Sequence, residues 1–194
     1  LKQMENLKQQ QHRALVEQVG RQLRDPQRSP ALGKPDSKHY VMEFFDFNCG
    51  YCKYMEPFMK EVSEDPKLDV QVVYVNYPVL AESSQKAAVL GLALYQMKPE
   101  SYLKFHRVLM NGEHEIDKEE TLRKLVAECG MDYEAVVDYI RGEKPVKQLM
   151  EYMSLGRSLG IAGTPYFIID GREYRGAFPS VEALKARITD ASAP

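Results

Sequence analysis

The sequence has no tryptophan and only three cysteines in 194 residues. Three cysteines cannot build the disulfide framework of a small secreted scaffold, so a packed core must hold the fold. No apolar run approaches the ~18 residues that a membrane-spanning helix requires. Neither charge sign dominates: 26 Lys and Arg stand against 28 Asp and Glu, a net charge of −2. That balance argues against nucleic acid or an anionic membrane surface as the partner. No phenylalanine or tyrosine occurs before Tyr40, so the globular core is expected to begin about there. Hydrophobic residues make up 44% of the chain. That is enough for a core, and the length suits one sizeable domain with an appendage. The chain begins at Leu1, which suits a processed form that has lost a secretory signal.

Leu1 to Arg24 holds six glutamines and a thin apolar stripe of Leu7, Leu15, Val19 and Leu23, extended by Leu1 and Met4. The spacing predicts a helix rising ~1.5 Å per residue, about 36 Å long. Such a helix is marginal alone in water and needs a partner surface. The expected role is an oligomerisation stalk over residues 1–24; a frayed tail, or a helix docked on its own domain, is the alternative. Pro26, Pro30, Gly33 and Pro35 then mark residues 25–36 as a linker. Residues 37–194 are expected to form the main domain.

Within it, Tyr40 to Asp46 is apolar on both faces apart from Glu43, as befits a central strand. Lys53 to Glu64 reads as a helix bent at Pro57, and Leu68 to Tyr77 as a second strand. A helical block follows over about 80–161. It is capped by Ser83 or Ser84 at its first helix, opened by Pro99 at the next, and marked again by Asp117 with Glu120 and by Pro145. Strands Tyr166–Ile169 and Arg172–Arg175 flank Asp170-Gly171, a hairpin signal, and Ser180 caps a last helix. With the helical block removed, a βαβ unit and a ββα unit remain, so the class is α/β with one central sheet.

The chemistry concentrates at Cys49-Gly50-Tyr51-Cys52, between the first strand and its helix. A thiol at a helix start meets unpaired N–H groups and the positive end of the dipole, which favour the thiolate. Cysteines so placed ionise at roughly 3.5–7.5 rather than near 8.5. The spacing lets Cys52 close a disulfide on Cys49. The competing reading is half a zinc site, but structural zinc needs four ligands. The only other cysteine is Cys129, and His39, His106 and His114 lie at no pairing distance in sequence. No metal site is expected. Cys129 falls in phase with Leu122, Leu125 and Val126, which reads as a core position. Glu43, a carboxylate in an apolar strand six residues before Cys49, is either a buried proton acceptor with a raised pKa or the partner of a lysine at the strand end. Thr164-Pro165 precedes a strand. A cis bond there would free Thr164 backbone groups for an extended substrate; an ordinary trans proline is the alternative.

The order of strand, C-x-x-C, proline five residues on, helical insert and G-T-P before a hairpin resembles the thioredoxin superfamily. The run from Glu43 to Lys53 resembles the DsbA family of secreted thiol–disulfide oxidoreductases. Ser29 to Asp36 is similar to the lead-in of its ScsC-like branch, whose members carry an oligomerising N-terminal segment. The resemblance implies a thioredoxin fold with an N-terminal helix and a helical insertion, an exported or periplasmic protein, and no cofactor beyond a redox-active Cys49–Cys52 disulfide. It implies Cys49 as nucleophile, Cys52 as resolving cysteine, Glu43 as the buried acid and Thr164-Pro165 as the cis-proline pair that binds substrate beside Gly50 and Tyr51. The implied partners are cysteine-containing clients, a DsbB- or DsbD-like membrane redox protein, and one or two further copies of the chain. Gly50-Tyr51 and Thr164 resemble the isomerase DsbC more than an oxidase. A non-catalytic holdase, or a metal-sequestering protein of copper tolerance, would use the same cysteines without turnover.

Overall fold

The structure, a computed structural model, describes residues 1–112 and 114–190. In chain order it comprises α1 (Lys2–Leu23), β1 (Ala31–Leu32), β2 (His39–Phe45), α2 (Gly50–Glu64), β3 (Val70–Asn76), α3 (Glu82–Met97), α4 (Pro99–Met110), α5 (Glu119–Glu128), α6 (Tyr133–Arg141), α7 (Lys144–Ser158), β4 (Tyr166–Ile169), β5 (Arg172–Arg175) and α8 (Val181–Thr189). The strands form one mixed sheet ordered β1-β3-β2-β4-β5. β2 and β3 run parallel, joined through α2, and the other pairs are antiparallel. β2 is central and buried on both sides from Tyr40 onward.

Alternation along β2 divides the core in two. Val41 and Phe45 face a cluster built with Met55 and Met59 of α2, Phe105 of α4 and Leu184 of α8. Tyr40, Met42 and Phe44 face a second cluster with Ala88 and Leu92 of α3 and Tyr152 of α7. The β4–β5 hairpin turns through Asp170 and Gly171, both at positive φ (49° and 80°), the conformation that an Asp-Gly pair tolerates.

The N-terminal helix differs from a free stalk. Val16, Val19 and Leu23 are buried in the second cluster, against the face of β2 and β4 that carries Tyr40, Met42 and Ile168. Val16, Val19, Gly20 and Leu23 fall at i, i+3, i+4 and i+7, so this half of α1 presents a continuous face. Gly20 permits the close approach: a Cβ there would collide with the Tyr40 hydroxyl and press on Ile168. The first half stays in solvent, with Leu1, Met4 and Leu7 exposed.

The proline-rich stretch is also docked, where a free linker was expected. β1 pairs with β3 as an edge strand, and the Tyr74 N–H donates to the Pro30 carbonyl at 2.9 Å. Tyr95 and Tyr152 donate to the carbonyls of Pro26 and Arg28. Proline density does favour extended chain, and extended chain is what an edge strand needs. Two cap expectations fail. α3 begins after Ala81 without a side-chain cap, because the Ser84 hydroxyl is turned to Asp46 instead. α5 begins after Lys118, whose N–H closes a turn on Glu115 and takes Asp117 into that turn.

Candidate active site

β2 ends at Phe45, and the chain turns through Asp46-Phe47-Asn48 into α2. Asp46 builds that turn. Its Oδ1 accepts from the Asn48 N–H (2.8 Å) and the Ser84 hydroxyl (2.7 Å), and its Oδ2 from the N–H groups of Val79 (2.9 Å) and Leu80 (3.0 Å). Asn48 Nδ2 donates to Ser83 and Ser84 in turn. The cysteine turn is thereby tied to the loop after β3 and to the start of α3.

Cys49 is the N-cap of α2, and its Sγ accepts from the Cys52 N–H at 3.2 Å. Across the site, the same sulfur lies 3.4 Å from the Thr164 carbonyl oxygen, to which a thiol would donate. The Thr164–Pro165 bond is cis. No protein group among the described residues accepts a hydrogen bond from the Thr164 N–H. The Cys49 pKa is lowered to about 6. The largest cause is a hydrogen bond from the Cys52 thiol; burial opposes it, and the Thr164 side chain and the Cys52 N–H lower it further. Cys52 is fully buried and its pKa is driven far upward, first by desolvation, then by its bond to Cys49 and the nearby charge of Glu43. Two thiols three residues apart are therefore prepared for opposite tasks. One is ionised near neutral pH, and the other keeps its proton until something takes it.

Glu43 is fully buried, and neither carboxylate oxygen has a hydrogen-bond partner among the described residues. No lysine pairs with it. Desolvation, then the charges of Glu56 and Cys49, hold its pKa well above the ordinary carboxyl value of 4.5. Gly50 and Tyr51 open α2; Tyr51 is 71% exposed and, with Tyr54, Ala177, Phe178 and Pro179, lines a shallow cavity of about 620 Å³ beside the thiol. Val79 and Leu80, in the loop that Asp46 holds, are exposed as well.

A second buried cluster, not expected from the sequence, lies under α2. Glu56 is 2% exposed; His106 of α4 meets it through Nε2 at 3.1 Å, and the Tyr74 hydroxyl lies at 3.4 Å. The available signal was a glutamate four residues after Cys52, on the face of α2 that also buries Met55 and Met59. Cys129 ends α5, buried against the core, its pKa raised by desolvation first.

A thioredoxin-like sheet that sets a C-x-x-C helix start against a proline loop defines a thiol–disulfide oxidoreductase site. Comparison with known proteins agrees. Residues 40–189 match the model of the DSBA-like thioredoxin domain, and the chain belongs to that family. The structure is similar to α-DsbA2 of Wolbachia pipientis, described as a thiol-disulfide exchange protein, with TM-score 0.80 and 25% identity over 94% of this chain and 96% of that one. It is similar also to the catalytic domain of Proteus mirabilis ScsC, with TM-score 0.80 and 26% identity over 91% and 96% of the two chains. The probable disulfide bond formation protein D of Bacillus anthracis is 26% identical over 168 residues, 81% of this chain and 76% of that protein. A Na(+)/H(+) antiporter of Salinispora tropica is 25% identical over 178 residues, 87% of this chain; there the chain spans only 26% of the relative's length.

Proposed function

We propose that the protein is an exported thiol–disulfide oxidoreductase acting on cysteine-containing clients, in which isomerisation and reduction weigh at least as much as oxidation. One observation carries the reading: the Cys49 sulfur sits at the start of α2, receives the Cys52 N–H, and faces the Thr164 backbone at 3.4 Å. An extended client segment can pair with the Thr164 N–H, which donates to no group among the described residues, as an added strand does, and this brings its sulfur to Cys49. The Cys49 thiolate attacks a client disulfide, forms a mixed disulfide and expels the other client sulfur as a thiolate. That thiolate can attack another client disulfide, and the client thiolate it expels then attacks the client sulfur of the mixed disulfide, so that a new client disulfide forms and Cys49 leaves as a thiolate, which is isomerisation. Alternatively Cys52 loses its proton and displaces the client, leaving the Cys49–Cys52 disulfide and a reduced client. The oxidised pair runs the same steps backwards.

The weight given to isomerisation rests on Gly50-Tyr51, which places no histidine beside the thiolate, and on Thr164. Export rests on the family; no helix among the described residues is long and apolar enough to cross a membrane. A membrane redox protein is the proposed source or sink of electrons. The exposed stripe Leu1, Met4 and Leu7 is the proposed contact between copies, in a dimer or trimer.

Refolding of scrambled ribonuclease tests the reading. Wild type should catalyse it and Cys49→Ala should not; a binder without turnover would be inert in both forms. The potential of the pair against glutathione should fall near about −180 mV or lower, and a value near about −120 mV would make the protein an oxidase.

A further inference from the structure

α4 of the helical insertion brings His106 against Glu56 of α2. His106 is fully buried. Its Nδ1 lies 3.0 Å from the Tyr102 hydroxyl and its Nε2 lies 3.1 Å from Glu56 Oε2. Its ring packs on Tyr74, centroids 4.0 Å apart, and edge-on to Phe45. Burial holds the Tyr102 hydroxyl in its protonated form, and His106 Nδ1 is the acceptor within its reach. With Nδ1 accepting, the ring proton belongs on Nε2, aimed at Glu56. Glu56 therefore receives the His106 N–H and the Tyr74 hydroxyl, with Arg107 Nε at 3.9 Å. These donors fix the Glu56 carboxylate beneath α2.

Glu43 is the neighbour with none of these. In the sheet it pairs with Tyr74 on one side and Phe167 on the other, so its side chain points to the same face as the Tyr74 ring. Two carboxylates sharing one dry space cannot both ionise readily.

We propose that Glu56, fixed beneath α2 by His106 of the insertion, keeps Glu43 in its acid form and so sets the pH at which Cys52 closes the pair. This rests on the exchange reading above. When a client thiolate attacks Cys49 of the oxidised pair, a client–Cys49 bond forms and the Cys49–Cys52 bond breaks. The electron pair leaves on Cys52, and Glu43 gives it a proton, directly or through one water. The acid form of Glu43 thus assists opening of the pair. Closing needs the carboxylate, which takes the Cys52 proton while Cys52 displaces the client. Glu56 and His106 touch neither sulfur and are positioning residues. The groups facing them are Glu43 from β2, Tyr74 from β3, Cys52 from α2, and Tyr102 and Arg107 from α4; Arg107 also reaches Glu64 at 3.7 Å.

The test is the pH profile of the closing step. A mixed disulfide between Cys49 and a small aromatic thiol is formed, and its release by Cys52 is timed from acid to alkaline pH. Glu56→Gln should move the midpoint of that profile about one unit to lower pH, so closing near the foot of the profile speeds about tenfold. His106→Leu should do the same, since Glu56 then loses the N–H that fixes its carboxylate toward Glu43. His106→Gln, which keeps a donor, should lie near wild type. A merely structural role would lower stability in all three variants and leave the midpoint in place; that result overturns the proposal. The infrared band of a protonated carboxyl gives a readout independent of exchange. It should be present at neutral pH in wild type, absent in Glu43→Gln, and titrate at lower pH in Glu56→Gln. An unchanged titration overturns the proposal even if exchange is robust. If the protein exchanges no disulfides but the band behaves as stated, the exchange reading falls and the carboxyl coupling stands.

Discussion

Two carboxylates lie three residues apart at the end of β2, both fully buried, and the protein treats them in opposite ways. Among the described residues, Asp46 accepts four hydrogen bonds from its surroundings and Glu43 accepts none. Asp46 is scaffold: its two oxygens are filled by donors from the cysteine turn, the loop after β3 and α3. Glu43 is a destabilising element kept beside a reactive pair. A buried polar group with every valence filled positions its neighbours, and one with none filled is free to exchange a proton. The sharpest way to break the contrast is Asp46→Ala. It strands the buried Ser84 hydroxyl and three part-buried N–H groups, and an unpaired buried donor costs about 1–3 kcal/mol. Guanidinium unfolding should show a loss of about 4 kcal/mol, and exchange should fail with it because the Cys49 turn is no longer tied to α3.

The two thiols repeat the contrast. The Cys49 pKa near 6 means about nine-tenths thiolate at pH 7 and about one-tenth at pH 5, readable as ultraviolet thiolate absorbance. A lowered pKa stabilises the folded dithiol form. That contribution is complete above the ordinary thiol value of 9.0 and is lost as pH falls through about 6. The stability of the reduced form relative to the oxidised one should therefore rise from pH 6 to pH 9. Thr164→Val removes one of the donors to the sulfur and should move the absorbance midpoint upward. A midpoint at the value of free glutathione in wild type would contradict the site as described.

Glu43 carries the opposite sign. Below 4.5 the carboxyl is protonated folded or unfolded and costs little. Above it the unfolded chain gains by ionising and the folded chain does not, so stability is lost as pH rises. Glu43→Gln should raise Tm by about 3 °C at neutral pH, and the gain should vanish toward pH 4. The same variant should flatten the pH dependence of exchange between pH 5 and 9. A stable variant with unaltered rates would make Glu43 a bystander.

Much of this contrast could be read without coordinates, and the division is physical. Cys49, Cys52, the hairpin at Asp170-Gly171 and Pro165 are local signals, set by turn geometry within a few residues. Glu43 was legible because it breaks an apolar strand. The role of Asp46 was not, since three of its four donors come from 33, 34 and 38 residues along the chain. Ser84 was misread for the same reason: a serine before an apolar helix is the pattern of a cap, and only the fold shows its hydroxyl engaged elsewhere. Glu56 and His106 are 50 residues apart and belong to different helices. In the stretch with Pro26, Pro30 and Pro35 only Ala31–Leu32 forms a strand, the chain turning on either side, and its anchoring depends on Tyr95 and Tyr152 far downstream.

The smallest expected effect on the domain divides α1 itself. Val16, Val19 and Leu23 are core residues, while Leu1, Met4 and Leu7 touch solvent on the same helix. Exposed apolar side chains of one helix stripe contribute little to a monomer, because their burial on folding is incomplete. Replacing Leu1, Met4 and Leu7 together by serine should leave the unfolding midpoint within about 0.5 kcal/mol of wild type. If those residues join copies of the chain, light scattering should show an oligomer that the triple variant turns into a monomer with exchange at a single site intact. An unaltered mass would assign the stripe no role in assembly. A large loss of stability would mean that the first half of α1 is tied to the domain as firmly as the second.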